Sequence, residues 1–195
     1  MQEKIKSFFY KNIKLQKIVL KNISKKICNA NNVFVNSLLK GNKIITCGNG
    51  ISAAIAQQFT TRMMNSFENN RPSLPSISIN TDNILMSAIN NEGLHEEIYA
   101  KQIKALGNHG DVLFIISTKI NNRDIIKAIE ISVNLGINIV VLNSCNSRVL
   151  KKILGVKDIE ICIPSHSTSR VNELHTIIVN CLCNLIDYTL FPCKK

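Results

Sequence analysis

Residues 43–52 read Lys-Ile-Ile-Thr-Cys-Gly-Asn-Gly-Ile-Ser (KIITCGNGIS). A short apolar strand (Ile44, Ile45, Thr46) runs into a Gly-Asn-Gly turn, and a helix-like run follows at once. Such a turn aims backbone N–H groups, and here the Ser52 hydroxyl, at whatever sits above it. That is a seat suited to a phosphate.

Downstream of the turn, strand and helix patterns alternate. Residues 52–67 read as a helix. Residues 76–79 read as a second strand between Pro75 and the Asn80-Thr81-Asp82-Asn83 cluster. Helical patterns over 84–89 and 94–106 precede residues 111–116 (DVLFII), a continuous apolar run that marks a strand buried on both faces. Residues 123–135 form a helix stopped by Gly136, and 138–142 another buried strand. A short helix over 148–154 leads to a strand over 158–163, closed by Pro164. A long last helix covers 169–190 and is stopped by Pro192. Five strands separated by helices predict an α/β fold with a three-layer, doubly wound parallel sheet.

Upstream of the turn, residues 5–27 carry apolar side chains at helical spacing: Ile5, Phe8, Phe9, Ile13, Leu15, Ile18, Val19, Leu20, Ile23 and Ile27. The stripe is too wide for a free helix, so it packs against a partner subunit or the body of the domain. A second helix over 31–39 ends at Gly41. The expected organisation is an oligomerising helical extension at 1–40 followed by one domain at 41–195, a division that 195 residues accommodate.

Composition excludes several classes. No apolar run of about 18 residues is free of charge or Asn, so no membrane span is predicted. The N-terminus has no apolar signal core, which points to a cytoplasmic protein. The net charge of +11 reads as scattered, solvated lysine, although Lys4, Lys6, Lys11, Lys14, Lys17, Lys21, Lys25 and Lys26 thicken the first segment. Without aromatic interleaving of the kind that stacks bases, direct nucleic-acid contact is not expected. The seven cysteines form no C-x-x-C pair. Cys181 and Cys183 point about 200° apart on a helix, which disfavours a shared zinc. Most of the cysteines read as small buried hydrophobes.

In a doubly wound sheet, ligands sit beyond the carboxyl ends of the strands. Three loops emerge there: Gly48 to Ser52, Asn80 to Asn83, and Ser117 to Asn122. Asn49, Gly50, Ser52, Asp82, Ser117, Thr118 and Lys119 are the candidate lining of a phosphosugar-type pocket. Ordinary capping and turn chemistry is the alternative for each loop.

The chain resembles the sugar isomerase (SIS) family through C-G-N-G-x-S at 47–52, I-S-T at 116–118 and R-x-x-E-x-H at 170–175. More narrowly, it resembles the phosphoheptose isomerase branch. Other stretches are similar to a non-catalytic branch that associates with the DnaA initiator: CGNG-x-SAA-x-AQ, RPSLP (71–75), SINTDN (78–83), VNCLC-x-LID (179–187) and TLFP (189–192). In the isomerases, zinc and acid–base groups come from a His and a Glu after the Gly-Asn-Gly loop, and from a Gln and a His on the last helix. By that resemblance the positions fall on Gln58, Arg62, Asn172 and Asn180. Amides cannot take and return a proton near neutral pH, an arginine stays protonated, and none of the four suits zinc. Ile120 also replaces the small residue that lets such a loop wrap a phosphate.

Other candidates are weaker. Glu173 and His175 lie two apart on the last helix and so diverge by about 200°. His95 stands at a helix start with Glu96 and Glu97, His109 in a turn, and His166 just before the last helix. The last helix is strongly apolar (Val171, Leu174, Ile177, Ile178, Val179, Leu182, Leu185, Ile186). After it, Leu190 and Phe191 form either a core plug or a protein-docking tip ahead of Lys194 and Lys195. The resemblance therefore implies a homotetrameric scaffold without catalysis, cofactor or metal, with the DnaA initiator as partner and a sugar phosphate as possible pocket ligand. A phosphoheptose isomerase acting on sedoheptulose 7-phosphate and a phosphosugar-sensing regulator are the alternatives.

Overall fold

The computed structural model describes residues 1–144 and 149–192. Cys145, Arg148, Cys193, Lys194 and Lys195 lie outside the described residues. In chain order the elements are α1 (Gln2–Leu39), β1 (Ile44–Gly48), α2 (Ile51–Met64), β2 (Ser76–Ser78) and α3 (Asn83–Asn91). A 3-10 turn (His95–Glu97) follows, then α4 (Ile98–Leu106), β3 (Val112–Ile116) and α5 (Arg123–Asn134). The chain ends with β4 (Asn138–Ser144), α6 (Leu150–Ile153), β5 (Ile159–Ile163) and α7 (Thr168–Leu190). The expected five-stranded parallel sheet is present, in the order β2-β1-β3-β4-β5. The winding reverses between β1 and β3, where Gly48 stands opposite Ile116.

Period-2 alternation divides the strands between two cores. Ile44, Val112, Phe114, Ile116, Val140, Leu142, Ile161 and Ile163 face a layer built by α1, α2 and α7. Ile45, Cys47, Leu113, Ile115, Ile139 and Val141 face the opposite layer, which holds α4 and α5. Both strand faces are covered, so β3 reads as an unbroken apolar run.

At the N-terminus the sequence predicts two helices over 5–27 and 31–39, and the structure has one, α1, 38 residues long. The intervening Cys28-Asn29-Ala30 contains no Pro or Gly, and Ala30 is fully buried against the core, so nothing stops the helix. Its second half belongs to the domain. Phe34 packs against both Phe59 (ring centroids 5.6 Å apart) and Phe114 (5.2 Å), which also touch each other. Its first half is different: Ile5, Phe8, Phe9, Tyr10, Ile13 and Leu20 are all exposed.

Smaller boundaries also move. Helix α2 stops at Met64 rather than residue 67, because Arg71 Nη2 and Nη1 take the carbonyls of Arg62 (2.8 Å) and Met63 (2.9 Å). Strand β4 runs on to Ser144, because β5 pairs with it as far as Ile163. Of the five described cysteines, Cys47 and Cys183 are buried, Cys162 is half-buried, and Cys28 and Cys181 are exposed. The helical divergence of Cys181 and Cys183 explains their opposite environments. Among the described residues no helix is long and apolar enough to cross a membrane.

Candidate functional site

The Gly48-Asn49-Gly50 turn occupies the reversal point of the sheet. A Cβ on Gly48 would lie 2.4 Å from the Ile116 carbonyl oxygen and 2.9 Å from that of Ser52, so strand, turn and helix close only around glycine. Gly50 adopts φ +59°, a region that side chains with a Cβ rarely enter. The turn is then bolted down from below. Gly48 N–H donates to Asn80 Oδ1 (3.1 Å), and Asn80 Nδ2 donates to Gly48 O (2.7 Å). The Tyr99 hydroxyl accepts from Asn80 Nδ2 (2.8 Å) and lies 2.7 Å from both Gly48 O and Asn49 Oδ1, between which its one proton is shared. Asn49 Nδ2 donates to Asp124 Oδ2 (2.9 Å), which ties the turn to the first turn of α5.

Burial dominates the acid–base chemistry under the turn. It pushes the Tyr99 phenol and the Cys47 thiol well above their ordinary ranges, and the nearby Asp124 carboxylate pushes both the same way. Neither group ionises near neutral pH. Asn80, Tyr99 and Asp124 were not among the pocket residues read from the sequence. They lie 32, 51 and 76 residues from Gly48 along the chain, and only folding brings them together.

The loop after β3 is also internally satisfied. Ser117 Oγ donates to Lys119 O (2.7 Å) and accepts from Lys119 N–H (3.3 Å), while Ser144 Oγ donates to Thr118 O. Ile120 is buried in the second core, which draws the loop down onto the sheet. Lys119 remains exposed and Ser52 is buried. The structure therefore brings Asn49, Gly50 and Ser52 to the strand end beside that of Ser117, Thr118 and Lys119. Asp82 is committed to its own helix, accepting from Leu85 N–H at 2.8 Å as the cap of α3. An anion entering here would meet Asn49 and Ser117 side chains already paired and the Asp124 carboxylate close to the turn.

The four positions carried over from the isomerase pattern lie on α2 and α7, which pack together. All four are half-buried. Arg62 stacks over the Phe67 ring at 4.8 Å with its Nη1 buried and unpartnered, and Asn172 Oδ1 and Asn180 Oδ1 are buried and unpartnered too. His175 is fully buried, with Nε2 3.3 Å from Asn143 O. Burial lowers its pKa to about 4, so the ring is neutral at physiological pH. Glu173 points the other way, into an ion pair with Arg170 (2.7 Å) and a hydrogen bond from Asn12. Arg170 in turn covers the Phe8 ring at 3.5 Å. His95 sits in the 3-10 turn, His109 lies against Gly136, and His166 is exposed before α7. Among the described residues no three His, Cys, Asp or Glu side chains converge as a metal-binding group.

A second constellation forms at the C-terminal end of α7. Arg71 is buried; its Nε donates to Asp187 Oδ1 at 2.6 Å and its Nη1 to Pro72 O at 3.0 Å. The Phe191 ring lies 5.9 Å from the Arg71 guanidinium carbon. Leu74 and Leu190 pack on the first core. Leu190 and Phe191 are half-buried, so each is partly plug and partly surface. The stretches RPSLP, VNCLC-x-LID and TLFP thus meet at one corner, held by the Arg71–Asp187 pair.

Residues 7–144 match the SIS domain family. The chain is 51% identical over 192 residues to the DnaA initiator-associating protein DiaA of Escherichia coli (strain K12 / DH10B), covering 98% of each chain. The protein of the same name in Shigella boydii serotype 18 matches equally. Among solved structures, a phosphoheptose isomerase from Francisella tularensis superposes with TM-score 0.91 at 34% identity, over 95% of this chain and 97% of that one. Phosphoheptose isomerase GmhA from Neisseria gonorrhoeae gives TM-score 0.89 at 28% identity, over 95% and 98%.

Proposed function

The chain belongs to the SIS domain family, on the branch of the DnaA initiator-associating proteins, and we propose that it is a non-catalytic scaffold that binds the replication initiator DnaA. It acts in the cytoplasm as a homotetramer and promotes DnaA assembly at the chromosomal origin. The likeness to DiaA along 98% of the chain carries this reading. Two features support it. Gln58, Arg62, Asn172 and Asn180 supply neither a proton shuttle nor zinc ligands. The exposed apolar side chains on the first half of α1, Phe9 (63% exposed) and Leu20 (71%) among them, are the kind of surface that subunit packing covers.

The docking surface is the corner formed by Leu190 and Phe191. Repeated in a symmetric assembly, it would hold several initiator molecules by avidity. The test is retention of purified DnaA on the immobilised protein. Retention is expected for the native chain and at least tenfold loss for Phe191→Ala, with the oligomer mass unchanged. No retention, or turnover of sedoheptulose 7-phosphate by the purified protein, overturns the proposal.

The position of the Gly48–Ser52 turn and the Ser117–Lys119 loop at the reversal point favours a second reading, a sugar-phosphate sensor. Binding there requires the Ser117 hydroxyl to leave Lys119 O. A sugar phosphate that raises the melting temperature of the native protein but not of Ser117→Ala would support it.

A further inference from the structure

The charge of this protein is concentrated in one part of the chain. Residues 1–67 hold eleven of the 24 Lys and Arg but one of the 13 Asp and Glu, so this third of the chain carries +10 of the net +11. Between Glu3 and Glu68 no acidic residue interrupts the run. Lysine scattered evenly along the whole chain would not leave the remaining two thirds almost neutral.

The fold gathers this charge on one surface. Lys4, Lys11, Lys14, Lys21 and Lys25 all lie on α1 and are exposed. At 100° per residue they fall within about 100° of arc, and Lys4 to Lys25 spans about 31 Å along the axis. None has an ion-pair partner among the described residues; on α1 only Lys6 is paired, with Glu3 at 2.9 Å. The apolar side of the helix, with Val19 and Ile23 in the core, lies roughly opposite. The stripe therefore stays accessible when the apolar side is covered.

We infer that this lysine stripe binds the phosphate backbone of nucleic acid without reading its sequence. Lysines alone, with no arginine fork and with Glu3 as the one acidic residue on α1, recognise charge and not shape. A line of like charges about 31 Å long matches the evenly repeated phosphates of a duplex, about nine steps of one strand. An anionic membrane would instead take up the apolar side of such a helix, and that side is partly packed on the domain. The inference rests on charge placement and not on the initiator reading, and it needs no initiator to test.

The experiment is fluorescence anisotropy of the full-length protein with a labelled 30-base-pair duplex of arbitrary sequence, titrated across salt concentration. Lys11, Lys14, Lys21 and Lys25→Gln together should weaken binding at least tenfold at low salt. They should also make the logarithmic salt slope shallower by about 3.6, since each of the four phosphate contacts contributes about 0.9. The same four positions changed to Arg should bind as the native chain does. Lys104, Lys151, Lys152 and Lys157→Gln, which remove the same charge elsewhere, should change affinity less than twofold. Equal loss in the two Gln variants, no binding by the native chain, or equal lysine-dependent affinity for poly-glutamate or phosphatidylserine vesicles would overturn it.

Discussion

Asp187 and Arg71 are separated by 116 residues in the sequence, yet their 2.6 Å ion pair fixes the corner where α7 ends. Both side chains are almost fully buried, so removing one leaves the other charged and unpaired. Asp187→Ala is expected to destabilise the fold by about 3–5 kcal/mol in urea unfolding. Tyr99→Phe is a milder probe, because it leaves Asn49 Oδ1 without its tyrosine donor under the Gly-Asn-Gly turn. It is expected to cost about 1–3 kcal/mol in the same measurement. His175 predicts a pH effect. Its folded pKa of about 4 lies below the ordinary value of 6.5, so the unfolded chain binds the extra proton first as pH falls. Stability is complete above about pH 6.5 and declines toward pH 4, by about 2–3 kcal/mol between pH 7 and 4.5. His175→Gln should flatten that part of the pH profile.

Within the elements, α1 serves two purposes along one unbroken rod. From Val19 onward it supplies core side chains, and before that most of its large apolar side chains face outward. Phe34→Ala should therefore destabilise the domain by about 3–5 kcal/mol, because its buried ring packs against both Phe59 and Phe114. Phe9→Ser should leave the circular dichroism spectrum unchanged while lowering the molecular mass seen by light scattering. The sequence shows the apolar stripe of α1 plainly. It does not show that the helix crosses residues 28–30 without a break, since neither Cys28 nor Asn29 is a strong helix former. Burial of Ala30 decides that point.

Across the whole molecule, the fold is shared with phosphoheptose isomerases at TM-scores of 0.91 and 0.89. A shared fold does not supply the reaction; the side chains of the site do. Three amides and an arginine at Gln58, Asn172, Asn180 and Arg62 predict that a metal chelator leaves the melting temperature unshifted. A drop of several degrees on adding chelator would show a bound metal that those four residues do not explain. The same scale governs charge: nearly all of the net charge resides in the first third of the chain, and the single α1 rod turns part of that excess into a line.

The parallel sheet, its order of strands and helices, and the glycine turn at the end of β1 were legible in the sequence because they rest on local periodicity and on glycine's backbone freedom. That Gln58, Arg62, Asn172 and Asn180 offer neither a proton shuttle nor good zinc ligands was legible for a different reason: chemistry that a side chain lacks is lacking in any fold. Only the tertiary structure decided which polar groups are already taken. Asn80, Tyr99 and Asp124 hold the turn from beneath, Ser117 turns back on Lys119, and Arg71 finds Asp187. Each of those partnerships joins residues by distance and direction in space, and sequence spacing carries neither.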